Sequence, residues 1–142
     1  MSAAIPRILV IDDEPILGRL IGHMLAPDHE VVSVLSGEAA LARLAVDPHF
    51  DAILCDLWLP GLSGALVHEA VKHHWPALGQ RMVFVSGATA SDATASFRGT
   101  APRWLLAKPF TIADLREAVA RVLTASQNVS DRPEPAAAKL LH

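Results

Sequence analysis

Four short apolar runs punctuate the chain: "ILVI" at 8–11, "AILC" at 52–55, "MVFV" at 82–85 and "WLLA" at 104–107. A weaker one, "VVSV" at 31–34, falls between the first two. Their apolarity is continuous rather than alternating, which predicts strands covered on both faces, as in a parallel sheet. The intervals between them carry helical spacing. Ile16, Leu17, Leu20, Ile21, Met24 and Leu25 form one stripe, and Leu66, Val67, Ala70 and Val71 another. "SGEAALARLA" at 36–45 is rich in good helix formers. Ile112, Leu115, Val119, Val122 and Leu123 form a last stripe, opened by Thr111 with Asp114 three residues on, a capping-box pattern. "ATASDATASFRGTAP", at 88–102, permits only a short, poor helix. The order is strand then helix, five times over, the rhythm of an α/β doubly wound sheet.

Around this unit, residues 1–6 read as an N-terminal extension and residues 125–142 as a flexible tail or the start of a linker. That tail, with Pro and charge and little apolar periodicity, predicts no second domain. The ordered unit is residues 7–124. With 142 residues, 51% of them hydrophobic and 19% charged, the chain has enough apolar material for one globular core. A net charge of −3 and the absence of Tyr argue against nucleic acid or an acidic membrane as partner. Cys55 is the one cysteine, so neither an internal disulfide nor a thiolate cluster is available. The first apolar run is too short for a signal sequence and no stretch approaches a membrane span, so a cytoplasmic location is expected.

In open α/β sheets ligands bind beyond the carboxyl ends of the strands. The first polar residues there are Asp12 and Asp13, then Asp56, Ser86 and Lys108. Three carboxylates, a hydroxyl and an ammonium would therefore meet at one edge. Carboxylates so close repel, and one takes up a proton unless a cation sits among them. A small set of oxygen ligands with room for water suits Mg²⁺. With the metal in place Asp56 stays ionised and can attack phosphorus, while Lys108 and Ser86 hold oxygens of the transferring group. Lys108-Pro109 is a candidate cis peptide that would aim the lysine inward.

The motifs "VIDDEP", "LCDLWLPGLSG", "VFVSGA" and "LAKPF" together resemble the receiver domain of two-component response regulators, over about residues 7–124. Each motif alone is weak; four in order, each at a strand end, are specific. The resemblance implies a flavodoxin-like (βα)5 fold with strand order 2-1-3-4-5. It implies that Asp56 accepts a phosphoryl group from a phosphohistidine on a histidine kinase or histidine phosphotransfer protein. Asp13, Asp56 and the carbonyl of Trp58 would ligate Mg²⁺, with Asp12 acting largely through water. Ser86 would be the switch hydroxyl and Lys108 the ion-pair partner of the aspartyl phosphate. The donor would dock over the first helix, near Leu17 and Leu20, and the loop after Lys108. Homodimers would form through the fourth helix, fifth strand and fifth helix.

Some positions depart from the family pattern. Leu105 stands where many receivers have an inward-swinging aromatic, and Trp104, one position off, is expected on the other face of its strand. "GTAPRW" before the last strand is closer to receivers attached to hybrid kinases. Trp58, two residues after Asp56, is expected to restrict water and lengthen the phosphorylated state. Plainer readings cover the remainder. Cys55 reads as a buried, inert strand residue. His68, His73 and His74 lack the i, i+4 spacing of a metal pair and read as a solvated helix face. Trp75-Pro76 reads as a helix end, and Arg116, Glu117 and Arg121 as a solvated face.

The expected function is a signalling module that takes up a phosphoryl group, not an enzyme turning over a metabolite. One alternative is a pseudo-receiver that binds partners without phosphorylation; the full set Asp12, Asp13, Asp56, Ser86 and Lys108 argues against it. A haloacid-dehalogenase-type phosphatase would need an acid where Trp58 stands.

Overall fold

The structure, a computed structural model, describes residues 4–87, 97 and 102–131. Five strands, β1 (Arg7–Ile11), β2 (Glu30–Val34), β3 (Ala52–Asp56), β4 (Met82–Ser86) and β5 (Leu105–Ala107), form one parallel sheet in the order β2-β1-β3-β4-β5. Helices α1 (Pro15–Leu25), α2 (Gly37–Val46), α3 (Gly64–His74), α4 (Pro76–Gly79) and α5 (Ile112–Asp131) cover it. This is the expected doubly wound fold. The short helix expected within residues 88–102 lies outside the described residues, apart from Phe97 and Pro102. So does the fourth-helix part of the expected dimer face.

Alternate residues of each strand face opposite sides, which splits the core in two. Leu9, Ile11, Ile53, Cys55, Met82 and Phe84 pack on α2 and α3 with Leu44, Val67 and Val71. Ile8, Val10, Leu54, Val83, Val85 and Leu106 pack on α1 and α5 with Ile21, Leu25, Leu115, Val119 and Val122. The three central strands are buried nearly throughout, as their unbroken apolarity predicts. The edge strands are not. Leu106 is the only buried residue of β5, and Leu105 is 40% exposed, because an edge position leaves one face without full cover.

Side-chain chemistry sets the helix starts. Ser36 Oγ accepts the Ala39 amide at 3.0 Å and Ser63 Oγ accepts that of Leu66 at 3.3 Å. The Thr111/Asp114 capping box closes as expected, with both reciprocal bonds at 3.0 Å. Pro15 and Pro76 occupy first-turn positions, where a missing amide costs nothing. Trp75 ends α3 and packs half-buried on the core edge.

Four expectations need correction. The helical stripe of α1 is wider than its buried part: Ile21 and Leu25 are buried and Leu17 and Met24 pack beside them, but Ile16 and Leu20 are exposed. The polar segment from Ser126 begins as a continuation of α5 to Asp131, since no proline interrupts the hydrogen-bond ladder before Pro133. His68 is not on a solvated face. It flanks Val67 and Val71, turns toward β4 and sits edge-on to Phe84 with ring centroids 5.4 Å apart. Arg116 likewise leaves the solvated face of α5: its guanidinium donates to the Met24 carbonyl at 2.8 Å and to the Asp28 carboxylate. That bond holds the Asp28 carboxyl down to about 2 and ties α5 to the end of α1.

Candidate functional site

The parallel register aligns the strand ends. Ile11 lies beside Cys55, Asp56 beside Val85, and Ser86 beside Ala107. The residues that follow or close these strands therefore arrive at one edge. Asp12 is kept in line with β1 by its amide, which donates to the Val34 carbonyl at 3.1 Å. Its Oδ1 accepts the Glu14 amide at 2.8 Å as the chain turns into α1. Asp56 closes β3, and its Oδ1 accepts the Trp58 amide at 3.1 Å. Lys108 is fixed by its own amide, which donates to the Ser86 carbonyl at 2.9 Å. The Lys108-Pro109 bond is cis, as expected.

The side chains then converge. One carboxylate oxygen from each of Asp12, Asp13 and Asp56 lies within 4.8 Å of the others. Lys108 Nζ is 3.5 Å from Asp56 Oδ2 and 3.8 Å from Asp12 Oδ2. Asp12 and Asp56 are only 4% and 8% exposed, while Asp13 is open to solvent. Burial pushes the Asp12 carboxyl above its ordinary range; the Glu14 amide opposes that rise and the neighbouring Asp56 charge adds to it. Among the described residues, three clustered acids meet one ammonium, which pairs with two of them, so the site is short of positive charge. Such a donor set of hard oxygens, partly open to water, fits Mg²⁺.

Ser86 is buried beside this cluster by its place in β4, and Trp58 follows Asp56 with its indole 51% exposed. Cys55, directly before the acid, is fully buried; its thiol donates to the Asp56 carbonyl at 3.4 Å, and burial pushes its pKa far up, leaving it inert. Trp104 packs toward α1 and α5, on the face opposite Leu105, as its parity in the strand requires.

The loop after Asp56 depends on a residue that motif reading passes over. The Gly64 amide donates to the Leu57 carbonyl at 3.1 Å. A Cβ on Gly64 would stand 2.7 Å from the Asp56 carbonyl oxygen and 2.9 Å from Leu57 Cα. Backbone, not a flexible side chain, occupies that space, so glycine is required for α3 to begin so close to the acid. "LSG" at 62–64 holds the sign of it, a glycine directly after a capping serine. Gly61, at φ +77°, makes the turn itself.

Known proteins resemble this chain in sequence and fold. A family model described as the response regulator receiver domain matches residues 8–120. The response regulator protein FleR of Pseudomonas aeruginosa is 32% identical over 80% of this chain, which spans 24% of FleR. The sensor histidine kinase GacS of Pseudomonas protegens is 34% identical over 51% of this chain and 8% of its own length. Among solved structures, a response regulator receiver domain from Clostridium thermocellum superposes with a TM-score of 0.77 at 26% identity, covering 88% of this chain and 99% of that one. This chain thus spans only a small part of the curated relatives it matches. Among the described residues, no helix is long and apolar enough to cross a membrane.

Proposed function

The chain belongs to the response regulator receiver domain family, and from that premise we propose that Asp56 is its phosphoacceptor, served by Lys108, Ser86 and a Mg²⁺ ion. The observation that supports this most directly is the charge shortfall: Asp12, Asp13 and Asp56 cluster together, and among the described residues Lys108 alone pairs with them, through Asp12 and Asp56. A carboxylate oxygen of Asp56 forms the new P–O bond as the P–N bond of the donor phosphohistidine breaks, and the bonding pair stays on the imidazole nitrogen. The Trp58 amide, on Asp56 Oδ1, holds the carboxylate in one orientation for attack. Lys108, already 3.5 Å from Oδ2, neutralises an oxygen of the arriving group, and the Ser86 hydroxyl donates to another. Asp13, Asp56 and the Trp58 carbonyl would hold Mg²⁺, with Asp12 acting through water, and the ion supplies the positive charge that keeps these acids ionised beside a phosphoryl group.

The donor is a histidine kinase or histidine phosphotransfer protein in the cytoplasm. Ile16 and Leu20, exposed on α1 next to the site, suit an apolar docking contact with it. The face of β5 and α5 serves pairing with a second copy. The protein acts as a signalling module without metabolite turnover.

Incubation with acetyl phosphate and Mg²⁺, read by intact mass, tests the assignment. The wild-type chain gains one phosphoryl group and Asp56→Asn gains none. Labelling of that variant moves the acceptor elsewhere; an unlabelled wild type leaves a phosphorylation-independent binding module.

A further inference from the structure

At the amino edge of the sheet, away from the acidic cluster, α3 and the segment leading into β5 enclose a cavity of about 240 Å³. Its floor is Met82 and Phe84, each 2% exposed. His68 lines one side, and Trp104, which also packs on the α1/α5 layer, lines another where its Nε1 reaches Gln80 at the sheet edge. One polar atom of each wall already has a partner: His68 Nε2 lies 3.2 Å from the Gly79 carbonyl, and Trp104 Nε1 donates to the Gln80 carbonyl at 3.3 Å. Burial holds the His68 ring below its ordinary pKa, so it presents a neutral aromatic surface.

The rim carries two cations. Lys72, one turn beyond His68, and Arg103 both line the opening and are exposed. Among the described residues neither is paired with a carboxylate. Arg103 lies 4.6 Å over the Trp104 ring, which leaves its charge available at the mouth. Glu69, one turn before Lys72 on α3, shares a neighbouring hollow with Lys72, His73 and His74 and, among the described residues, makes no ion pair there. An apolar, aromatic-walled pocket beneath two exposed cations that form no ion pair among the described residues suits a ligand with a flat apolar body and an anionic head. Its volume falls below the roughly 300–1,000 Å³ of sites for drug-sized molecules, which limits that body to a small ring system.

We infer that this cavity binds a small aromatic carboxylate, its ring against Met82, Phe84 and Trp104 and its carboxylate between Lys72 and Arg103. The inference is independent of the role given to Asp56. It assigns the domain a second input, a free aromatic acid, on the edge opposite the phosphoacceptor.

The test is a titration of the ¹⁵N-labelled chain with phenylacetate and indole-3-acetate, and with phenylacetamide as the neutral isostere. The expected result is saturable shifts in the Trp104 indole N–H and the Phe84 and Gln80 amides, with phenylacetate bound about fivefold more tightly than its amide. Lys72→Gln/Arg103→Gln removes two exposed charges without touching the core, and should bring acid and amide to equal affinity. Asp56→Asn should bind phenylacetate as the wild type does, which keeps this result separate from the phosphorylation assay. Equal affinity for acid and amide in the wild type, no saturable shift at millimolar ligand, or shifts centred on the Asp12/Asp56 cluster would each overturn the inference.

Discussion

Both edges of the sheet set three carboxylates near one basic residue, with opposite results. At the amino edge Arg7 receives Asp51 on its backbone amide at 2.8 Å, Asp47 on Nη1 at 3.2 Å and Glu30 beside Nε at 3.4 Å. Its guanidinium also donates to the His49 carbonyl at 2.7 Å and lies 4.5 Å over the Phe50 ring. These acids are open to water and well supplied with donors; the His49 amide and ring, ahead of Arg7, hold the Asp47 carboxyl down at about 2. At the carboxyl edge Asp12 and Asp56 are buried, the donors are fewer, and Asp12 is pushed up instead. Charge count alone therefore does not make a site. What separates the edges is desolvation with fewer donors, which leaves one cluster satisfied and the other, among the described residues, short of positive charge.

The comparison can be broken most forcefully at the two cations. Lys108→Gln should slow labelling by acetyl phosphate about a hundredfold, the scale of losing one preorganised charge in a transition state. Arg7→Gln should leave that rate unchanged. Equal rates for wild type and Lys108→Gln would remove the lysine from the chemistry. Metal dependence comes next. At a hundred times its dissociation constant, Mg²⁺ should stabilise the wild type to urea by about 2.7 kcal/mol. Asp13→Asn should lose that response and Asp51→Asn should keep it; a response surviving in Asp13→Asn would place the ion elsewhere.

A smaller effect is expected at Trp58, which is exposed two residues after the proposed acceptor Asp56. Trp58→Asn should shorten the half-life of the aspartyl phosphate severalfold, followed by intact mass after the donor is removed. A longer half-life in the variant would contradict a water-restricting tryptophan. The smallest effect belongs to the amino edge. Since the folded Asp47 carboxyl sits near 2 against an ordinary 3.8, its contribution to stability is complete above the higher value and is lost as pH falls through the lower one. Urea midpoints of wild type and Asp47→Asn should draw together across that window. A difference independent of pH there would show that Asp47 acts by packing rather than by charge.

Much of the site can be read from local pattern because each of its residues sits directly at the end of an apolar run. Asp12 and Asp13 follow "ILVI", Asp56 follows "AILC", Ser86 follows "MVFV" and Lys108 follows "WLLA". Once the sheet is parallel, such residues share an edge whatever the details of packing. The capping box at Thr111 and Asp114 is equally local and equally legible. His68 and Arg116 are a different case. Both sit one position from a core residue, and only the neighbouring element decides whether such a flank meets water or protein. For His68 that neighbour is β4, and for Arg116 it is the end of α1.

By itself, then, the sequence determined the repeated strand and helix order and the residue types gathered at the carboxyl edge. Those follow from periodicity and from short-range order along the chain. Tertiary structure alone decided that Leu105 is left exposed at an edge strand and that Gly64 must lack a side chain against the Asp56 carbonyl. It alone also closed a cavity beneath Lys72 and Arg103, and left one of two similar acid clusters short of positive charge. The reason is physical: burial and the supply of donors depend on residues distant in sequence, and a chain read one window at a time does not contain them.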